Sequence, residues 1–158
     1  MSDACRHHHA DGPPAAAEVA RALREADRRL TGEGERMTKA RLRVLELLLV
    51  AGEPVKAYDL IARFGEDGQP AKPPTVYRAL EFLERKGLAH RIASISAYVA
   101  CTSGSVDHAA AFLICDCCGA TAEVSAPVAD DLGRAAAAAG YAIARTTIEA
   151  HGRCPACQ

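Results

Sequence analysis

Three observations predict an α+β protein of two small domains. Apolar residues recur at helical spacing through most of residues 15–86, whereas the later part of the chain carries short runs of strand character. Six of the seven cysteines (Cys101, Cys115, Cys117, Cys118, Cys154 and Cys157) fall in the last third, which has no lysine after residue 92. Charge also changes sign along the chain: −2 over residues 1–35, +4 over 36–91 and −3 over 92–158, for a formal total of −1. That total excludes a uniformly basic nucleic-acid coat and a highly charged disordered chain alike. The expected division is 1–14 as a polar tail, 15–94 as a helical domain and 95–158 as a small α/β domain, with the boundary near residues 92–97.

Taken in order, residues 15–30 are rich in Ala, Leu, Glu and Arg and form a helix that Gly32 and Gly34 end. Thr38 is a good N-cap for a second helix through Val50, with Leu42, Leu45, Leu48 and Leu49 at helical spacing, stopped by Gly52. A third, short helix runs from about Lys56 to Phe64, and Gly65 to Lys72 is a loop of turn residues. Pro74 opens a fourth helix, because proline suits a first helical turn. In it Val76, Ala79, Leu80 and Leu83 share one face, leaving Tyr77, Arg78, Glu81 and Arg85 on the other. Gly87 caps this helix, and Leu88–Ile92 with Ala97–Ala100 make a two-stranded hairpin. Helices followed by a β-wing describe a winged helix-turn-helix, whose last helix enters the DNA major groove.

Beyond residue 108 the expected elements are strands over Ala111–Cys115 and Thr121–Ser125, an alanine-rich helix over Val128–Ala139 ended by Gly140, and a strand over Tyr141–Ala150. Strands this few and short suggest pairing with a second copy of the chain. No run approaches the roughly 18 apolar residues of a membrane span, and the polar N-terminus lacks a signal-peptide core, so a cytoplasmic location is expected. Seven cysteines in a reducing compartment point to metal ligation or thiol chemistry rather than to disulfides.

Cys115-x-x-Cys118 and Cys154-x-x-Cys157 are two knuckles whose four thiolates would close a structural Zn²⁺ site. Such an ion would staple a domain with a thin core, since structural zinc contributes on the order of 10–16 kcal/mol. Cys115 alone could be a buried strand residue, but that leaves Cys154 and Cys157 unexplained. Spacing alone would let Cys117 replace Cys118; the following Gly119 favours Cys118, because it lets backbone amides turn towards the sulfur. Cys154-Pro-Ala-Cys157 also has the form of a redox dithiol, which needs its first cysteine at a helix N-terminus. Only Gln158 follows, so no helix is expected there, and a thiol-disulfide oxidoreductase is kept as the weaker alternative to metal ligation. The tail with Cys5, His7, His8, His9 and Asp11 could bind metal weakly or be mere composition.

A second set comprises His90, Cys101, His108 and Glu123. Each has a bland reading: a surface wing histidine, a small core thiol, a loop histidine and a solvated strand carboxylate. Spacing leaves both readings open.

The stretches AYDL (57–60), KPPTVYRALEFL (72–83), GLAHRI (87–92), AYVAC (97–101), FLICDCCGA (112–120) and IEAHGRCPAC (148–157) together resemble the ferric uptake regulator family, and within it the zinc uptake regulator branch. The resemblance runs over about residues 20–158. It implies a homodimeric, metal-sensing repressor of zinc-uptake genes that binds double-stranded operator DNA, not an enzyme, and leaves open whether one or two dimers occupy an operator. It implies two Zn²⁺ per monomer: a structural ion on Cys115, Cys118, Cys154 and Cys157, and a regulatory ion on His90, Cys101, His108 and Glu123. Tyr77 and Arg78 match the family's DNA-contacting pair; Lys72, Lys39 and Arg41 are expected phosphate partners, and Thr75 joins the DNA-contacting set. Two imidazoles, one thiolate and one carboxylate suit zinc better than iron or manganese, which favour nitrogen and oxygen in higher coordination. Iron- or peroxide-sensing relatives are the alternative. His151 lies in a matched motif but is expected to be structural. An ion gripped from both domains would fix the spacing of two recognition helices.

Overall fold

The computed structural model describes residues 14–65, 69–101, 110–124 and 128–158. The N-terminal tail with its histidines, His108 and Ser125 lie outside the described residues. Among the described residues no helix is long and apolar enough to cross a membrane. The chain divides into two compact units, on either side of residues 106 and 107.

The first unit runs α1 (Ala16–Gly32), α2 (Lys39–Ala51), β1 (Val55–Lys56), α3 (Ala57–Arg63), α4 (Pro73–Arg85), β2 (Ala89–Ile92) and β3 (Ala97–Ala100). Thr38 caps α2, its hydroxyl accepting from Arg41 N at 3.4 Å, and Gly52 ends it in the left-handed region at φ 63°. Leu30, Val44, Leu48, Leu60, Val76, Leu80 and Leu83 close the core and are at most 1% exposed. Arg43 ties α2 to the end of α3: its Nε donates to Phe64 O at 2.8 Å and its NH1 to Glu46 at 2.7 Å. The last carbonyls of a short helix, which have no partner within it, are thereby satisfied.

The wing has three strands rather than two, in the order β1-β3-β2 and antiparallel throughout. Two residues were too short a run to read as a strand from sequence, yet Val55 pairs with Tyr98 and Lys56 with Ala97. This pairing holds β3 in the first unit, so the structural division falls later than the expected boundary at residues 94 and 95. Ala89, Tyr98 and Ala100 pack into the helical core.

The second unit holds β4 (Ala110–Cys115), β5 (Thr121–Val124), α5 (Val128–Ala138), β6 (Thr147–Gly152) and a single 3₁₀ turn over Pro155–Cys157. Its sheet has the order β5-β4-β6, with β5 antiparallel and β6 parallel to the central β4. The last strand starts at Thr147, six residues after its expected start, because ladder pairing begins only where Ala110 meets Thr147. Tyr141 and Ile143 instead stand 75% and 44% exposed.

Leu48, on α2, is fully buried in the core of the first unit. Leu48→Ala is expected to cost about 2–5 kcal/mol, read as a lower urea midpoint for the unfolding of the first unit.

Candidate metal centre and nucleic-acid face

The knuckles have 35 residues between them, and strand direction brings them together. In a parallel pair both strands end at the same edge of the sheet. Cys115 is the last residue of β4 and pairs with Gly152, the last of β6, two residues before Cys154. Cys118 returns in the turn from β4 to β5, closed by Gly119 N to Cys115 O at 2.9 Å, with Gly119 at φ 76°. A side chain at Gly119 would be strained in that conformation. Cys157 is set by the 3₁₀ turn, whose Cys157 N donates to Cys154 O at 2.9 Å. A one-turn helix thus does follow Cys154, against expectation. It is too short to supply the dipole a redox thiolate requires.

The four sulfurs all lie within 4.8 Å of one another, and Cys118 Sγ is 3.7 Å from Cys154 Sγ. No disulfide links the described cysteines. Sulfur-only ligation in a closed set of four is the donor chemistry of structural zinc, so the residues present fit that ion. The amide of Cys154, donating at 3.3 Å, and then that of Cys118 lower the Cys115 thiol to about 6. The Ala120 amide pulls Cys118 down, but burial and the neighbouring sulfurs of Cys115 and Cys154 leave it raised. Burial and then Cys154 push Cys157 up strongly. Cys117, exposed, is not among the four converging sulfurs. His151 Nδ1 lies 2.9 Å from Asp116 Oδ1, a pairing that sequence spacing gave no reason to expect.

The second set is divided. His90 and Cys101 belong to the first unit and Glu123 to the second; His108 lies outside the described residues. Within the wing, His90 pairs with Val99, so Cys101, two residues on, shares its face at a diagonal position. That face turns away from the helical core, yet His90 is only 7% exposed. Glu123 stands on β5 opposite Phe112.

Along α4 the expected faces appear. Val76, Ala79, Leu80, Phe82 and Leu83 are buried, while Tyr77, at 51% exposure, Arg78 and Glu81 face outward. Lys72 and Lys39 are exposed and Thr75 is half-buried at the start of α4. Arg41 is engaged otherwise: its guanidinium carbon sits 3.3 Å from the centre of the Phe82 ring, and its NH1 donates to Arg36 O. Lys86 is held between Glu33 at 3.1 Å and Glu35 at 3.0 Å, hydrogen bonds that raise its pKa and lower that of Glu35. Basic charge is thus sorted into structural clasps and a free surface. Tyr58 on α3 is 78% exposed; it lies inside the AYDL stretch, where no sequence pattern distinguishes an outward tyrosine from a core one.

The model of the ferric uptake regulator family matches residues 32–151. The zinc uptake regulation protein of Escherichia coli is 40% identical over 137 residues, covering 85% of this chain and 80% of that protein. A zinc uptake regulator solved in complex with zinc and DNA superposes with a TM-score of 0.79 at 39% identity, over 87% of this chain and 93% of that one. The holo form of XcZur gives 0.74 at 40% identity, over 84% and 94%.

Metal binding by the four cysteines must displace the protons that the raised Cys118 and Cys157 hold near neutral pH, whereas Cys115 is already mostly thiolate above about 6. Apparent zinc affinity at the cluster is therefore expected to fall with falling pH, and to fall more steeply once Cys115 also protonates. Competition with a chromophoric chelator across that range checks the slope, and calorimetry in buffers of different ionisation enthalpy checks the proton release.

Proposed function

The chain belongs to the ferric uptake regulator family, and on that basis we propose that it is a zinc-responsive transcriptional repressor that binds operator DNA as a zinc-loaded homodimer. It is a regulator of zinc-uptake genes acting in the cytoplasm, not an enzyme. The observation that carries this reading is the construction of the wing. The sheet whose inner face packs on α4 places His90 and Cys101 together on its outer face. As metal donors, these two residues would be tied to the helix that exposes Tyr77 and Arg78.

Two zinc ions per monomer are proposed. Cys115, Cys118, Cys154 and Cys157 would hold the structural one, for which four converging sulfurs are the support. His90, Cys101, His108 and Glu123 would hold the regulatory one, supported by the resemblance and by a donor set that suits four-coordinate zinc. When bound, zinc supplies a cross-link between its ligands and no reaction. His90 and Cys101 belong to the DNA-reading unit and Glu123 to the other, so binding by both would restrict their relative orientation. A conformation that binds the ion more tightly becomes the dominant one.

DNA contact is assigned to Tyr77 and Arg78 on the outward face of α4, with Lys72, Thr75 and Lys39 near its N-terminal end or on α2 as backbone partners. Arg41 is retained as a phosphate partner only at its guanidinium edge, since its face lies on Phe82. Dimerisation is assigned to the second unit. None of residues 129–138 of α5 is buried, and Leu113, Val124 and Leu132 are 49%, 38% and 47% exposed. Apolar surface of this kind on a three-stranded sheet is the pattern of an interface awaiting its partner.

Arg78→Ala is expected to lower operator affinity by at least about tenfold, a loss of about 1–3 kcal/mol or more in two copies, with zinc content unchanged; an unaltered gel shift refutes the assignment. Cys101→Ser is expected to keep the fold, lose one zinc per monomer and abolish the zinc dependence of DNA binding. Titrating wild-type protein and operator DNA with Zn²⁺, Fe²⁺ and Mn²⁺ in parallel separates a zinc sensor from an iron- or peroxide-sensing one. Footprint length on the operator distinguishes one bound dimer from two.

A further inference from the structure

We infer that Asp116 and His151 form a positioning pair that locks the two cysteine knuckles in register and so governs how slowly the structural metal leaves. The inference rests on the four-cysteine reading above. Asp116 follows Cys115 directly and begins the turn that carries Cys118. His151 lies in β6, one residue before the Gly152 that pairs with Cys115. The two side chains meet at 2.9 Å, and as a carboxylate Asp116 accepts from His151 Nδ1–H. A second tie runs alongside, from Asp116 N to Gly152 O at 2.9 Å. Asp116 therefore joins the first knuckle to the strand leading into the second through both its backbone and its side chain.

By strand alternation Gly152 shares a face with Cys115, and His151 stands on the opposite one. The pair braces the end of the sheet from behind the cluster, its two side chains bonding to each other rather than to a sulfur. An ion leaves a closed four-sulfur site when one knuckle swings away from the other, and the movement of the Cys118 turn relative to β6 is what the pair opposes. Both side chains are substantially exposed, at 39% for His151 and 62% for Asp116. Exposed pairs contribute little to global stability, so an effect on metal release without an effect on unfolding is the signature of the positioning role.

The test uses the full chain loaded with Zn²⁺ and follows the slow phase of release to an excess of a chromophoric chelator. Asp116→Ala and His151→Ala are each expected to speed that phase about tenfold, the lower end of what outer partners of metal ligands contribute. The double variant is expected to be no faster than either single, because the two residues act as one unit. Asp116→Asn, which keeps an acceptor oxygen, is expected to stay near the wild-type rate. The Co²⁺-substituted variants should keep the wild-type tetrahedral thiolate spectrum, and the urea midpoint of the first unit should stay at its wild-type value. Wild-type release from either alanine variant, or a double variant whose effect is the product of the singles, overturns the proposal. Should Asp116→Ala fail to load, His151→Ala and Asp116→Asn decide it. Cys118→Ser is the control for the underlying reading: it removes the slow phase if the four cysteines hold the ion, and a slow phase that persists there refutes the cluster rather than the pair.

Discussion

Two strands running the same way set the chemistry of the second unit. β4 and β6 are parallel, and their pairing from Ala110 with Thr147 to Cys115 with Gly152 delivers both chain segments to one edge of the sheet. A slip of one residue would turn Cys115 to the opposite face of its strand. The convergence of four sulfurs within 4.8 Å is a result of that register, and the Gly119 turn and the 3₁₀ turn over Pro155–Cys157 complete it locally. The same unit buries few apolar side chains: among the described residues only Ala110, Ala111, Phe112, Ile114 and Cys115 are buried. A core of that size needs a staple or a partner, and the unit carries features suited to both.

The first unit is organised differently. Its core is closed by leucines and valines from four helices and by the inner face of the wing. Basic residues there divide into two kinds. Arg43 and Lys86 hold helix ends and loops in place through carbonyl and carboxylate partners. Phe82 is buried with Arg41 on its ring and Arg85 at 5.4 Å, a cation–π stack that joins α2 to α4. Arg78 and Lys72, by contrast, face outward.

Much of this was legible in the residues. Thr38 and Gly52 bounded α2, and the 3.6-residue pattern separated the two faces of α4 correctly, because capping chemistry and amphipathic spacing are local properties. The paired CxxC motifs named the four sulfurs, although their meeting depends on strand direction, which no local pattern reports. β1 was not legible, since a two-residue strand exists only through its pairing with Tyr98 and Ala97. The late start of β6 has the same origin. Arg41 read as a free cation, and its stacking on Phe82 could not be inferred from residues 41 apart. The grouping of His90, Cys101, His108 and Glu123 came from family resemblance; the structure adds the shared face of His90 and Cys101 to it.

The parallel crossover through α5 also has a consequence in time. Cys115 and Cys154 are separated by 39 residues. At a synthesis rate of about 5–20 residues per second, the first knuckle leaves the ribosome roughly two to eight seconds before the second. During that interval the thiols of the first knuckle hold only half of the ligand set that the parallel pairing later completes.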